Sequence, residues 1–271
     1  MLARILVSEK ALLERASEHR YETIMLPITS AQNPHIKLVR SLSDKKARRE
    51  LGLFVVEGLA MLERALDLGW TPEYLITTKH QSLWDDVKPL IVTDKLMSEL
   101  SAQNNPHDVL ATFRQKWQPH PGKTGLWLAL EDIRDPGNLG TIIRTADAAA
   151  ADGIILVGDC CDPYSIECVR ATTGSIFATT LTRMPSLQFA DFLKSWPGES
   201  VATAMGAKTS YRRTYQRPTL LVMGSEAKGL SQGIASACTR TVRIPMRPGV
   251  ESLNVATAAA LMLYEAQQHE T

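Results

Sequence analysis

Three separated stretches carry the side chains best suited to chemistry. "DPGNLGTIIRTADA" sets Asn138 and Arg144 behind a turn made by Asp135, Pro136 and Gly137. "GSEAKGLS" sets Glu226 between Gly224 and Gly229, directly after the apolar run "TLLVM". "RPGVESLNVATAAA" sets Ser252 and Asn254 at the start of an alanine-rich segment. A guanidinium offers a planar fork of donors suited to phosphate or to a developing oxyanion. A carboxylate at a strand end can orient a substrate or a neighbouring arginine. Glycines at a turn permit positive φ and close backbone approach. Each residue also has a plainer role open to it. Asn138 and Ser252 can cap helices, as can Glu226, and Arg144 can be a surface arginine paired with an acid.

Other chemistries find no support. "GNLG" lacks the GxGxxG spacing of a dinucleotide fingerprint, and no GxxxxGK[ST] occurs. The cysteines are Cys160, Cys161, Cys168 and Cys238; none forms a CxxC pair, and no His or Cys cluster has zinc spacing. No metal is therefore expected, and a reduced, cytoplasmic protein is the simplest reading.

These residues need elements to hold them. Over 125–271 strands are predicted at "LWLALE", "GIILVG", "SVATAM", "TLLVMG" and "TVRIPM". Helices are predicted at "LGTIIRTADAAAA", "SIECVRATTGSIF", "LQFADFLKSW" and "SLNVATAAALMLYEAQQ". Near-continuous apolar strands imply a parallel sheet covered on both faces. A doubly wound sheet places ligands beyond the carboxyl ends of its strands, where all three stretches lie. The first helix is expected to begin near Leu139, with Ile142, Ile143 and Ala146 buried and Arg144 on the face shared with Asp147, Ala148 and Ala151.

Upstream, residues 28–116 read as a smaller α/β sandwich: a helix at "HIKLVRSLSDKKARREL", a strand at "LFVVEG", a helix at "LAMLERALDLG", a strand at "PEYLITT", and a strand end running into a helix at "IVTDKLMSELS", capped by Thr93. Residues 117–124, "WQPHPGKT", read as a linker, and residues 1–27 as a helical extension. The net charge of +1 does not mark a globally basic nucleic-acid binder. Locally, Lys37, Arg40, Lys45, Lys46, Arg48 and Arg49 face only Asp44 and Glu50, an excess that can meet phosphates or form a solvated helix face. The N-terminus meets charge too early for a signal peptide, and no apolar run approaches the roughly 20 residues of a membrane span.

Taken together and in order, "DPGNLGTIIRTADA", "LVMGSEAKGLS" and "IPMRPGVESLNVATAAAL" resemble the motifs of the SpoU/TrmH family of RNA ribose methyltransferases, in the SPOUT superfamily. The likeness covers residues 125–266. The segment "FVVEGLAMLERALDLGWTPEYLITT" resembles the ribosomal-protein-like RNA-binding domain often fused in front. The resemblance implies a trefoil knot around a site for S-adenosylmethionine. It also implies a homodimer and methyl transfer to a ribose 2′-hydroxyl of RNA. Ribosomal RNA is the implied substrate, with transfer RNA or a catalytically silent RNA-binding role as alternatives. An ordinary nucleotide-binding oxidoreductase or phosphotransferase is the rival outside the family. Carried over residue by residue, the resemblance points to Gly224, Ile244, Met246 and Leu253 for the cofactor. Arg144 becomes the key catalytic residue, oriented together with the ribose by Asn138, Glu226, Ser252 and Asn254. Ala227 departs from the glycine usual after the motif glutamate, and "DAAAADG" replaces a segment usually bearing phenylalanine and glycine; both imply altered packing with the chemistry retained.

Overall fold

The computed structural model describes residues 26–79, 83–101, 105–225, 228–250 and 252–267. The helical extension expected over 1–27 lies outside the described residues, apart from Leu26 and Pro27.

The basic stretch forms two helices rather than one: α1 (Pro34–Ser41) and α2 (Lys45–Leu51). The break is chemical. Asp44 accepts from the backbone N–H of Lys46 and Ala47, so it starts a new helix instead of continuing the old one. Gly52, at φ 64°, ends that helix in the left-handed region. Then follow β1 (Leu53–Glu57), α3 (Leu59–Asp67), β2 (Tyr74–Thr77), β3 (Leu90–Ile91), α4 (Asp94–Leu100) and β4 (Val109–Arg114). Thr93 caps α4, as its sequence position predicts. The sheet order is β1-β4-β2-β3, so the strand missing from the sequence reading, β4, sits inside the sheet. It runs antiparallel to both neighbours. Alternation sorts its two faces: Leu53, Val55 and Leu110 pack with α1 and α4, while Phe54, Val56 and Phe113 pack with α3.

The second unit contains β5 (Leu126–Glu131), α5 (Pro136–Ala148), β6 (Gly153–Val157), α6 (Ile166–Thr172), a 3₁₀ turn (Ser175–Phe177), β7 (Leu181–Met184) and α7 (Ser186–Lys194). After these come β8 (Glu199–Thr203), β9 (Thr209–Ser210), β10 (Thr219–Met223), α8 (Gln232–Ala237), β11 (Arg240–Arg243) and α9 (Val255–Gln267). The strand order is β7-β6-β5-β10-β8-β11-β9. Every pairing is parallel. As the apolar strands require, both faces are covered. Leu128, Leu130 and Leu221 meet α5 and α9, while Trp127, Ala129 and Val222 meet α7 and α8. The edge strands β7 and β9 and the helix α8 are additions to the sequence reading; all three are too short for periodicity to reveal.

The two units share one core. Phe177 from the 3₁₀ turn meets Phe113 at 4.9 Å and Trp70 at 5.1 Å between ring centroids. Its carbonyl accepts the indole N–H of Trp70 at 2.9 Å. Tyr164 packs tilted against Phe54 at 4.8 Å between ring centroids, and its hydroxyl donates to the Lys116 carbonyl at 2.6 Å. Residues 117 and 118, in the segment read as a linker, are held on the second unit: Trp117 packs edge-on to Tyr164, and the Gln118 N–H donates to Leu181. Truncating a buried phenylalanine costs about 3–5 kcal/mol. Phe177→Ala is therefore expected to lower a single calorimetric unfolding transition that includes both sheets. Two separable transitions in the parent protein would contradict a shared core.

Candidate active site

The first stretch begins a helix earlier than expected. Asp135, not Asn138, is the cap: its carboxylate accepts the Asn138 N–H at 2.6 Å, and Pro136 occupies the first turn, where a missing N–H costs nothing. Asn138 is therefore inside the first turn of the helix and not its cap. The third stretch shifts in the opposite sense. Asn254, not Ser252, starts α9, its Oδ1 accepting from the N–H groups of Ala256 at 2.9 Å and Thr257 at 3.2 Å. Its Nδ2 donates to Asn138 Oδ1 at 2.9 Å. One amide thus caps α9 and ties it to α5, joining the first and third stretches.

Arg144 is exposed on α5 and makes no hydrogen bond or ion pair with the described residues. The acid best placed to hold it, Asp147 one turn on, pairs instead with Arg64 of α3 at 3.6 Å. The plain alternative of a surface arginine satisfied by a nearby acid does not describe it. Glu226 and Ala227 lie outside the described residues.

The second stretch leaves β10 at Gly224. A Cβ there would stand 2.0 Å from the Gly229 carbonyl carbon and 2.2 Å from the Leu230 nitrogen. Only glycine lets the loop fold back, and the fold-back is closed by the Gly229 N–H donating to the Ser225 carbonyl at 2.8 Å. Next to it a cavity of about 550 Å³ opens beyond the carboxyl ends of β8, β10 and β11. Gly224, Ile244, Met246, Leu253 and Ser252 all line it. Its volume falls in the range of about 300–1,000 Å³ usual for small-molecule sites. The sequence reading missed other contributors, among them the end of β8. Thr203 and Met205, at and beyond the end of β8, form part of the wall; the parallel-sheet rule applied to "SVATAM" signals them. Glu131, a charge closing the apolar strand "LWLALE", is buried, and its Oε2 accepts the Ser231 N–H at 2.7 Å. That bond fixes the exit of the Gly224 loop against β5.

Thiol chemistry beside α5 is disfavoured. Burial pushes the Cys160 thiol up to about 11. Burial first, then the neighbouring Cys160 and acids, push Cys161 up to about 12. A thiol held protonated near neutrality is a poor nucleophile. Among the described residues no three His, Cys, Asp or Glu side chains gather as a metal set.

The basic cluster divides. Lys37, Lys45, Lys46 and Arg49 are exposed. Arg40 pairs with Glu99 at 2.9 Å, and Lys46 stands 3.9 Å from Glu50, both at the surface. Arg48 is a correction. It is only 4% exposed, and its Nε and Nη2 each reach Asp162 Oδ2 at 2.8 Å. Facing inward and satisfied by protein, it is not available to RNA.

An all-parallel α/β sheet with its cavity at the carboxyl edge defines a doubly wound ligand-binding protein. The comparisons narrow the class. The SpoU rRNA methylase family model matches residues 125–264, and an MRM3-like substrate-binding domain matches residues 33–111. The crystal structure of an S-adenosylmethionine-bound rRNA methyltransferase from Sinorhizobium meliloti is 38% identical, covers 91% of this chain and 98% of its own, and superposes with a TM-score of 0.83. The 23S rRNA (uridine(2479)-2′-O)-methyltransferase of Streptomyces viridochromogenes is 30% identical over 83% of this chain and 86% of its own. The 23S rRNA (guanosine(2553)-2′-O)-methyltransferase RlmP of Bacillus subtilis is 28% identical over 89% and 98%. The chain belongs to the SpoU methyltransferase family.

Gly224→Ala is expected to keep the sheet while opening the loop behind it. Hydrogen exchange at the Gly229 amide should accelerate without change in β10. Unchanged protection there would show that the loop tolerates a Cβ.

Proposed function

We propose that this protein transfers a methyl group from S-adenosylmethionine to a ribose 2′-hydroxyl of ribosomal RNA. The observation that carries the reading is the convergence of Gly224, Ile244, Met246 and Leu253 on one cavity in a chain of this family. The cavity fits the cofactor in size and in kind: a glycine admits close backbone approach, and apolar walls can sandwich an adenine ring. When bound, the cofactor supplies a methyl group already activated by its sulfonium.

The chain's own residues then have to position and to stabilise. Arg144, a guanidinium, offers donors and no acceptor, and so it does not take the hydroxyl proton, which passes to solvent water. Its role is to donate hydrogen bonds to a flanking phosphate and to the 2′-oxygen as negative charge develops there. Its exposure, with no partner among the described residues, suits it to that work. Asn138 and Asn254, bonded to one another, fix the geometry of the helix that carries it; Ser252 and Glu226 orient the ribose or the arginine. Lys37, Lys45, Lys46 and Arg49 hold the RNA backbone. The Streptomyces and Bacillus relatives act on different nucleosides, so the base is not inferred from them.

The same reading includes a trefoil knot around the cavity, a homodimer and a cytoplasmic site of action. The insertion of β10 between β5 and β8 is in keeping with a threaded chain. The outer side of α9, with Tyr264 45% exposed and Leu261 half-buried, offers a second copy an apolar surface. Among the described residues no helix is long and apolar enough to cross a membrane.

The test is single-turnover transfer from labelled cofactor to ribosomal RNA across a pH series. Arg144→Ala should abolish transfer while calorimetry still detects S-adenosylmethionine binding to metal-stripped protein. Arg144→Lys keeps a charge but loses the fork, and should stay poor at every pH. Were Arg144 a base, the lysine would regain activity as pH approaches about 10. Full activity in the alanine variant would remove Arg144 from the mechanism. For the dimer, sedimentation at micromolar concentration should give twice the chain mass, and a monomer would refute it.

A further inference from the structure

Arg48 and Asp162 lie 114 residues apart and belong to different sheets' surroundings, yet they form a buried, two-pronged ion pair. The third guanidinium nitrogen donates to the carbonyls of Leu42 at 2.8 Å and Ser43 at 2.9 Å, so the whole fork is fixed. Replacing such a pair by apolar residues is often neutral for stability, so stability alone is a weak reason for it. What the pair supplies is direction: a planar fork locks angle as well as distance.

The neighbours on each side give that direction a use. On α2, Lys45, Lys46 and Arg49 are exposed within a turn of Arg48. On the other side, the Cys161 N–H donates to the Ile133 carbonyl at 2.7 Å, which fixes the Asp162 loop to the chain entering α5. From the exposed cations the links run through Arg48, Asp162, Cys161 and Ile133 to the chain entering α5, and they cross one charged pair. We propose that the Arg48–Asp162 pair is a positioning device, setting the register between the RNA-holding face of α2 and the helix of Arg144, and so selecting which ribose along a bound RNA is presented. This inference rests on the proposed methyl transfer.

Misplacement by about 1 Å can cost about 10²-fold in rate. Two variants test the register. Arg48→Lys keeps the charge and loses the fork. The double variant Arg48→Met with Asp162→Leu removes the pair without leaving a buried charge alone. Each is compared with the parent for RNA affinity, S-adenosylmethionine affinity, single-turnover rate and the position of the methylated ribose mapped along ribosomal RNA. The expected result is affinities close to the parent's, a rate about 10- to 100-fold lower at the parent's ribose, and methylation appearing at neighbouring riboses. An unchanged rate and position in both variants overturns the proposal. So does loss of cofactor binding in both, since the pair then holds the fold and not the register. If the parent itself methylates no ribose, the underlying reading fails and this inference with it.

Discussion

A single side-chain amide, that of Asn254, governs how the site is assembled. Its oxygen begins α9 and its nitrogen reaches Asn138 on α5. The two ends cannot be used together unless α9 starts at this residue and in this direction. That start places Leu253 and Ser252, just before the helix, against the cavity wall. It also sets Val255, Ala259 and Leu263 against the sheet beside Leu128 and Leu221. A helix begun two residues earlier, at Ser252, would draw Leu253 into its first turn and take Asn254 out of the capping position, and the tie to Asn138 would be lost.

The second constraint is steric. The Gly224 loop doubles back because no side chain stands there, and Glu131 holds the exit of that loop through Ser231. Backbone groups pulled this close present a wall that side chains alone do not make. The cavity is therefore shaped from three strand ends, by a missing Cβ, a buried carboxylate and a helix cap.

Much of this was legible in the residues. Continuous apolar runs such as "GIILV" and "TLLVM" can only be buried on both faces, so the parallel sheet followed from them. Gly224, Ile244, Met246 and Leu253 were reached through a family resemblance, and geometry gathers them around one cavity. The helix starts were not legible. Asp135 competes with Asn138, and Ser252 with Asn254, and propensity ranks these side chains nearly equally as caps. Pro136 in the first turn goes with the first choice, and the tertiary bond from Asn254 to Asn138 goes with the second. Arg48 was misread for a related reason. Its composition matches that of Lys45, Lys46 and Arg49, and its partner Asp162 lies far along the chain. Likewise "VLATFR" has no strong period of its own; its pairing with both β1 and β2 makes it a central strand.

The aromatic seam has a consequence for how such chains can be recombined. Segment 117–124 looks like a place to cut and rejoin, since it separates the two sheets in sequence. Yet Tyr164 and Phe177, well downstream of it, complete the core of the upstream unit by packing on Phe54, Trp70 and Phe113. A chimera spliced at 117–124 that imported a foreign second half would bring foreign residues to those two positions and leave a hole or a clash at the seam. The boundary that exchange has to respect is drawn in space, around five rings, and it encloses two short pieces of the second half along with the first.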